Sequence, residues 1–385
     1  MTISLKADIG DNFCYAPWTN IHINTTGTYK TCCAGTEEIG DLRQIPIQDL
    51  LTNKKLIQIK NSLYENHSHV NCNICSRQEK HSAVSERTWY NNIAENQIIV
   101  IDNLDNQSLQ NLDIRWSNTC NLSCVYCDYE ASSQWAILKN QPISRLDYSS
   151  TLPDILEFIQ SHKSTIKNLA LLGGEPLLQK ENSDLLDVID DNVHINVITN
   201  LSVPLDNNKI FKKLLDKKNV MWDISFETVE ERFDYVRHGS SWNIMLKNIG
   251  YLTKEIKQKP GHNIGVTSQY CVYNALTLST LHEFFLDNKL PNIRWNELHY
   301  PDILSVVNLP QHHINIAIKE LECSLEYNLQ PVQQRFIKDM QRTLQSINSI
   351  TEDCRDLNKW HQQREETYWP TANLKFKNLW KEYSN

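Results

Sequence analysis

Between residues 108 and 300, six short strand-like runs alternate with helical stretches, and this alternation restricts the possible folds more than any other feature of the chain. The strand candidates are 112–116, 169–172, 195–198, 220–226, 264–272 and 293–297, with helical patterns between them, as at 152–162 and 241–256. Strands separated by helices predict a parallel sheet, because parallel neighbours need a crossover connection. Such a sheet carries its working loops at the carboxyl ends of the strands. The expected class is therefore α/β. Residues 1–100 differ, holding five cysteines among short strand-like pieces and one helical stretch at 47–64. Residues 301–385 read as polar helices, with Trp360, Trp369 and Trp380 expected to dock them on the strand-bearing domain. Segment 141–150 is expected to be a surface loop.

Cys120, Cys124 and Cys127 stand at C-x3-C-x2-C spacing directly behind the first strand candidate. Three thiolates on one loop can ligate three irons of a four-iron, four-sulfur cube and leave the fourth iron without a protein ligand. An open iron is a place to bind and reduce a substrate. Zinc is the competing reading, although structural zinc takes four ligands, often as two C-x2-C pairs. A disulfide set would need an oxidising compartment, and Met1 to Gly10 lack the apolar core and basic flank of a secretion signal. Reduced, cytoplasmic thiols are therefore expected. Glycine is scarce, at 10 in 385 residues, against a typical ~7%. The doublet Gly173-Gly174, followed by Glu175-Pro176 behind the second strand candidate, is therefore informative. Glycines let backbone approach a ligand closely, and carbonyls with the Glu175 carboxylate can accept hydrogen bonds from an ammonium group. Taken singly, the same four residues could be a plain strand-to-helix turn.

Together, the C-x3-C-x2-C loop and the following GGEP segment resemble the radical S-adenosylmethionine (SAM) superfamily. The resemblance implies a partial (β/α)6 TIM-like barrel. It implies that Cys120, Cys124 and Cys127 hold a [4Fe-4S] cluster with an open iron, with Tyr126 at the family's aromatic position. It implies that Gly173, Gly174, Glu175 and Pro176 bind the amino group of SAM and that Asn200 lies near the ribose. Ser225-Phe226-Glu227-Thr228 stands where relatives often carry Ser-x-Asp-Gly, so Ser225 and Glu227 become candidates, with glutamate for aspartate and threonine for glycine. Arg237 is the candidate partner of the SAM carboxylate; a surface salt bridge is the plain alternative. Tyr273-Asn274, behind the fifth strand candidate, resembles a further rim segment. In that family an electron from the reduced cluster breaks the sulfonium bond of SAM, and a 5′-deoxyadenosyl radical takes a hydrogen atom from substrate.

Cys14 is followed by twelve residues, Gly27, four more residues and Cys32. With Pro17-Trp18 behind Cys14 and the pair Cys32-Cys33, this arrangement resembles the start of SPASM and twitch modules, which are auxiliary iron–sulfur modules of radical SAM enzymes. A hairpin turning at Gly27, between 21–24 and 29–32, is expected. The resemblance implies a second, auxiliary [4Fe-4S] cluster on Cys14, Cys32, Cys72 and Cys75. Cys33 is the alternative to Cys32, and zinc the alternative to iron. With every iron ligated, such a cluster serves as an electron relay or a staple.

The net charge of −8 argues against nucleic acid, whose phosphates call for basic patches. No apolar stretch is long enough to span a bilayer. The expected partners are an external electron donor such as flavodoxin or ferredoxin, and a substrate. Relatives of this kind modify ribosomal peptides or protein side chains, and others act on small molecules. A peptide is the expected substrate, a sugar or nucleotide the alternative, and a non-catalytic iron–sulfur or zinc scaffold the opposing class. Cys271 is read as a buried packing residue, with hydrogen-atom donation as its alternative. Cys323 and Cys354 are read as packing residues, and His312-His313 as solvated, since adjacent helix positions face different ways.

Overall fold

The computed structural model describes residues 10–81, 85–96, 108–143, 151–290, 292–327, 329–347 and 354–380. Residues 144–150 of the expected loop and the side chain of Cys354 lie outside the described residues. The six strand candidates of the middle region are strands to within two residues at each end: β4 (Asn111–Ile114), β5 (Asn168–Leu171), β6 (His194–Thr199), β7 (Asn219–Ser225), β8 (His262–Tyr270) and β9 (Asn292–Glu297). The class is α/β with parallel strands. The chain forms two compact units.

The first unit comprises residues 1–119, 144–197 and 208–220. Its strand order is β3-β2-β1-β4-β5-β6. β1 (Asn20–Ile23) and β2 (Thr28–Lys30) form the expected antiparallel hairpin. Gly27 turns it with φ of 81°, a left-handed conformation that glycine adopts without strain. β3 (Gly40–Asp41) adds to β2. Sequence reading did not foresee that β1 also pairs in parallel with β4, so this hairpin and the first βα strand share one sheet. At this seam His22 stands opposite Asp113, with Nδ1 at 2.7 Å from Oδ2, and Arg115 reaches the same carboxylate at 3.1 Å. Burial would raise the Asp113 pKa, but His22 and Arg115 outweigh it and hold the carboxyl at about 2.

β4, β5 and β6 pair in parallel and in register. Leu112, Ile114, Leu169, Leu171, Ile195 and Val197 alternate onto one face and are buried. Asn111, Asp113, Asn168 and Asn196 fall on the other face, which is therefore polar. The helical stretch expected at 47–64 is two helices, Ile47–Leu50 and Lys54–Tyr64. The break is local: Asn53 is extended and its side chain caps the second helix, accepting from the Lys55 N–H.

The second unit comprises residues 120–143, 198–207 and 221–385, and its strands run in the order β7-β8-β9. Ser241 caps the helix Trp242–Ile256, which buries Met245, Ile249 and Leu252 at helical spacing. The carboxyl-terminal region is helical, through Gln311–Ser324, Pro331–Gln345, Cys354–Tyr368 and Phe376–Leu379. Trp380 is buried with its ring 5.5 Å from Tyr235 and 5.3 Å from Tyr273. Cys271 is buried. Two readings are corrected. Cys323 is exposed on its helix rather than packed. His313 is buried, while its neighbour His312 is exposed, because one of two diverging helix positions faces inward. Among the described residues no helix is long and apolar enough to cross a membrane.

Candidate functional site

In the first unit Cys14, Cys32, Cys72 and Cys75 line one cavity, with Ala16, Pro17, Ala34 and Leu63 as apolar wall and Arg87 beside them. Cys14 precedes the short helix Ala16–Thr19, Cys32 follows β2, Cys72 closes the turn Val70–Cys72, and Cys75 lies in the helix Asn73–His81. Cys32 is buried there, whereas Cys33 is exposed and is not among the lining residues. Burial pushes the Cys32 thiol up to about 12 and Cys72 to about 11. Such thiols keep their protons until a metal displaces them. Arg87 donates to the Asp11 carbonyl and to Ser76 Oγ, at 2.9 Å each, and its Nε lies 3.2 Å from Glu79. Nothing in the spacing of Arg87 from the cysteines had marked it.

The GGEP segment also belongs to the first unit. The Gly174 N–H donates to the Ser117 carbonyl at 3.2 Å and the Glu175 N–H to the Thr119 carbonyl at 2.7 Å. A Cβ on Gly174 would fall 2.2 Å from the Thr119 oxygen, and one on Gly173, where φ is 122°, 3.0 Å from the Ser117 oxygen. The doublet thus lets this segment lie against the backbone that runs directly into Cys120. Glu175 is fully buried, and one carboxylate oxygen caps the turn Pro176–Leu178 by accepting from the Leu177 N–H at 3.1 Å.

In the second unit the cysteine loop is held by its main chain. Ser123 and Val125 donate to the carbonyls of His238 and Val236 at 2.9 Å each, and the Trp135 indole donates to the Cys124 carbonyl at 2.8 Å. Cys124 is buried; Cys120 and Cys127 are partly exposed. Two nitrogen donors approach two of the sulfurs. Asn200 Nδ2 lies 3.7 Å from Cys120 Sγ and 2.9 Å from Asn121 Oδ1. Arg237 Nη1 lies 3.9 Å from Cys124 Sγ. Burial pushes the Cys127 thiol up to about 12 and raises Cys124, with Arg237 opposing the latter.

Arg237 and Glu227 are brought together in a way the motif comparison had not anticipated. The guanidinium donates through Nε and Nη2 to the two carboxylate oxygens at 2.9 and 2.8 Å, and it lies 5.3 Å from the centre of the Tyr126 ring. Both side chains are buried, so this is no surface pair. The glutamate that stands in for the family's aspartate therefore neutralises the arginine. Ser225 ends β7 and is half-buried.

These donor sets fit iron–sulfur clusters. Both are all-thiol. Zinc draws its sulfurs to about 2.3 Å from one centre. The four thiols around the cavity of the first unit suit a cube, which spreads its ligands over several irons. The N–H groups near Cys120 and Cys124 are the kind of outer contact that orients and tunes metal-bound sulfur.

Residues 114–286 match the family model of the radical SAM superfamily, and residues 14–77 match that of an iron–sulfur cluster-binding domain, SPASM. The 7-carboxy-7-deazaguanine synthase of Clostridium acetobutylicum is 29% identical over 187 residues, 45% of this chain and 78% of that protein. Among solved structures, Streptococcus suis SuiB bound to S-adenosylmethionine is 15% identical with a TM-score of 0.42, over 84% of this chain and 72% of SuiB. Native anSMEcpe with bound AdoMet is 14% identical with a TM-score of 0.40. That alignment covers 54% of this chain and 58% of anSMEcpe, less than two thirds of its length.

Proposed function

The chain carries a radical SAM domain behind an amino-terminal iron–sulfur cluster-binding domain, and on that premise we propose that it is a radical SAM enzyme that modifies a peptide or protein substrate. Cys120, Cys124 and Cys127 would hold the cluster with the open iron. Gly173, Gly174, Glu175, Pro176, Asn200, Ser225 and Glu227 would surround SAM, with Tyr126 and Arg237 beside the cluster. Cys14, Cys32, Cys72 and Cys75 would hold the auxiliary cluster. When bound, cluster and SAM supply one-electron cleavage of the sulfonium bond and with it a hydrogen-abstracting radical. The protein's own part is to orient and to exclude water. The glycine doublet fixes the GGEP main chain, Asn200 and Arg237 direct N–H groups at sulfur, and Glu227 keeps Arg237 in place. Residues 1–100 would form the auxiliary module, 108–300 the core and 301–385 a helical extension. A cytoplasmic setting and an external flavodoxin- or ferredoxin-like donor complete the proposal.

The observation that carries this reading is the loop with three thiols, two of them met by N–H donors, and no fourth cysteine. A peptide is favoured over a nucleic acid by the acidic net charge. A small heterocyclic substrate is the second reading, favoured by the 29% identity to the deazaguanine synthase. Anaerobic reconstitution with iron, sulfide, SAM and dithionite tests the enzyme class. Iron near eight per chain is expected (roughly four per cluster), together with 5′-deoxyadenosine. Absence of 5′-deoxyadenosine from protein with a loaded triplet cluster would sink the proposal.

A further inference from the structure

The carboxyl-terminal helix Cys354–Tyr368 carries no recognisable motif, yet one of its residues reaches the cysteine loop. Arg364 Nη2 donates to the carbonyl of Val125, between Cys124 and Cys127, at 3.1 Å. The guanidinium lies 4.2 Å from the ring centre of Trp135 and 4.5 Å from that of Trp360. Trp135 is the residue whose indole holds the Cys124 carbonyl. Trp369, directly after the helix, stacks on His238 at 4.2 Å, and His238 supplies the carbonyl for Ser123. The main-chain groups of the loop are thus met from two directions: by residues 236–238 and by the tail helix with its tryptophan platform.

Arg364 also differs from the other cations near the clusters. Arg237 is neutralised by Glu227 and Arg87 lies against Glu79. Arg364 has rings and a carbonyl around it, and no described carboxylate lies within ion-pair distance of it. Asp128, the carboxylate whose charge is felt at Arg364, is ion-paired with Lys139 at 2.6 Å, and the neighbouring Glu365 is engaged with Tyr235 at 3.0 Å and Lys375 at 3.9 Å. Its Nε is buried without a hydrogen-bond partner. A half-buried charge without a counter-ion is costly, unless an anion joins it. Three thiolates on a four-iron cube make such an anion, and cluster potential responds to nearby charge and to hydrogen bonds.

We propose that Arg364 is a positioning residue of the three-cysteine cluster, fixing the Val125 carbonyl from the tail helix and raising the cluster's reduction potential with its unpaired charge. The inference rests on the reading that Cys120, Cys124 and Cys127 hold a cluster. It is tested on the full-length reconstituted protein by redox titration followed by EPR, using the signal that Cys120→Ala removes. Arg364→Gln is expected to move that signal's midpoint to a more negative potential, while Arg364→Lys stays near the parent value. An unchanged midpoint in Arg364→Gln overturns the proposal. If the glutamine variant fails to retain iron, the lysine variant decides: full iron at the parent potential supports the role of charge, and loss in both overturns it. If SAM leaves every EPR signal of the parent protein unchanged, the radical SAM reading fails separately, because the Arg364 comparison does not use SAM.

Discussion

In the first unit four thiols line a cavity walled by alanine, proline and leucine; in the second unit three thiols ride on a loop and two of them remain partly exposed. The difference lies in donor count and in what surrounds the donors. A closed set can satisfy each metal position and is suited to a relay or a staple, whereas a set one donor short leaves a position for a ligand. The cations differ in the same sense. Arg87 is tied to main chain and to a part-exposed glutamate. Arg237 is buried with Glu227 and directs its remaining nitrogen at Cys124. The first arrangement encloses; the second presents.

Exchanging the cysteines tests that contrast most severely. The triple change Cys120→Ala, Cys124→Ala and Cys127→Ala should abolish 5′-deoxyadenosine formation and remove about half of the iron (roughly four atoms per cluster). The pair Cys72→Ala and Cys75→Ala should remove the other half and retain substrate-independent SAM cleavage. Loss of cleavage in both proteins would break the division between the sets.

A smaller effect is expected from the arginines. Arg237→Met leaves Glu227, with a side chain 1% exposed, as a buried unpaired charge, and should cost about 3–5 kcal/mol in urea unfolding. Arg87→Met leaves Glu79, 26% exposed, and should cost about 1 kcal/mol in lost ion pairing, plus what its two hydrogen bonds contribute. Equal losses would show that the two cations sit in equivalent surroundings after all. The least effect should come from Cys33→Ser, which should leave the iron content at the parent level, while Cys32→Ser should lose auxiliary iron. The reverse outcome would exchange the two neighbours in the proposed ligand set.

Much of the architecture was legible because it is local. Alternation of Leu112 and Ile114 with Asn111 and Asp113 marks a strand with two unlike faces, and the same holds for β5 and β6. Gly27 marked its hairpin, and Gly173-Gly174 marked a close approach, although the partner proved to be the backbone of residues 117–119. The helix break at Asn53 was missed because a capping asparagine inside a helical pattern reads as an ordinary polar position. His313 was misread because the pattern around it does not say which of two adjacent positions turns inward.

The cysteine spacings, the glycine doublet and the order of strands and helices were settled by sequence, since each depends on neighbours a few residues apart. The parallel pairing of β1 with β4, the choice between Cys32 and Cys33 at the cavity, the Glu227–Arg237 pair and the reach of Arg364 to Val125 were decided by tertiary structure. Periodicity tells which face of an element is apolar, but which faces meet is set by how distant elements pack. The charge that surrounds each set of thiols follows from that packing.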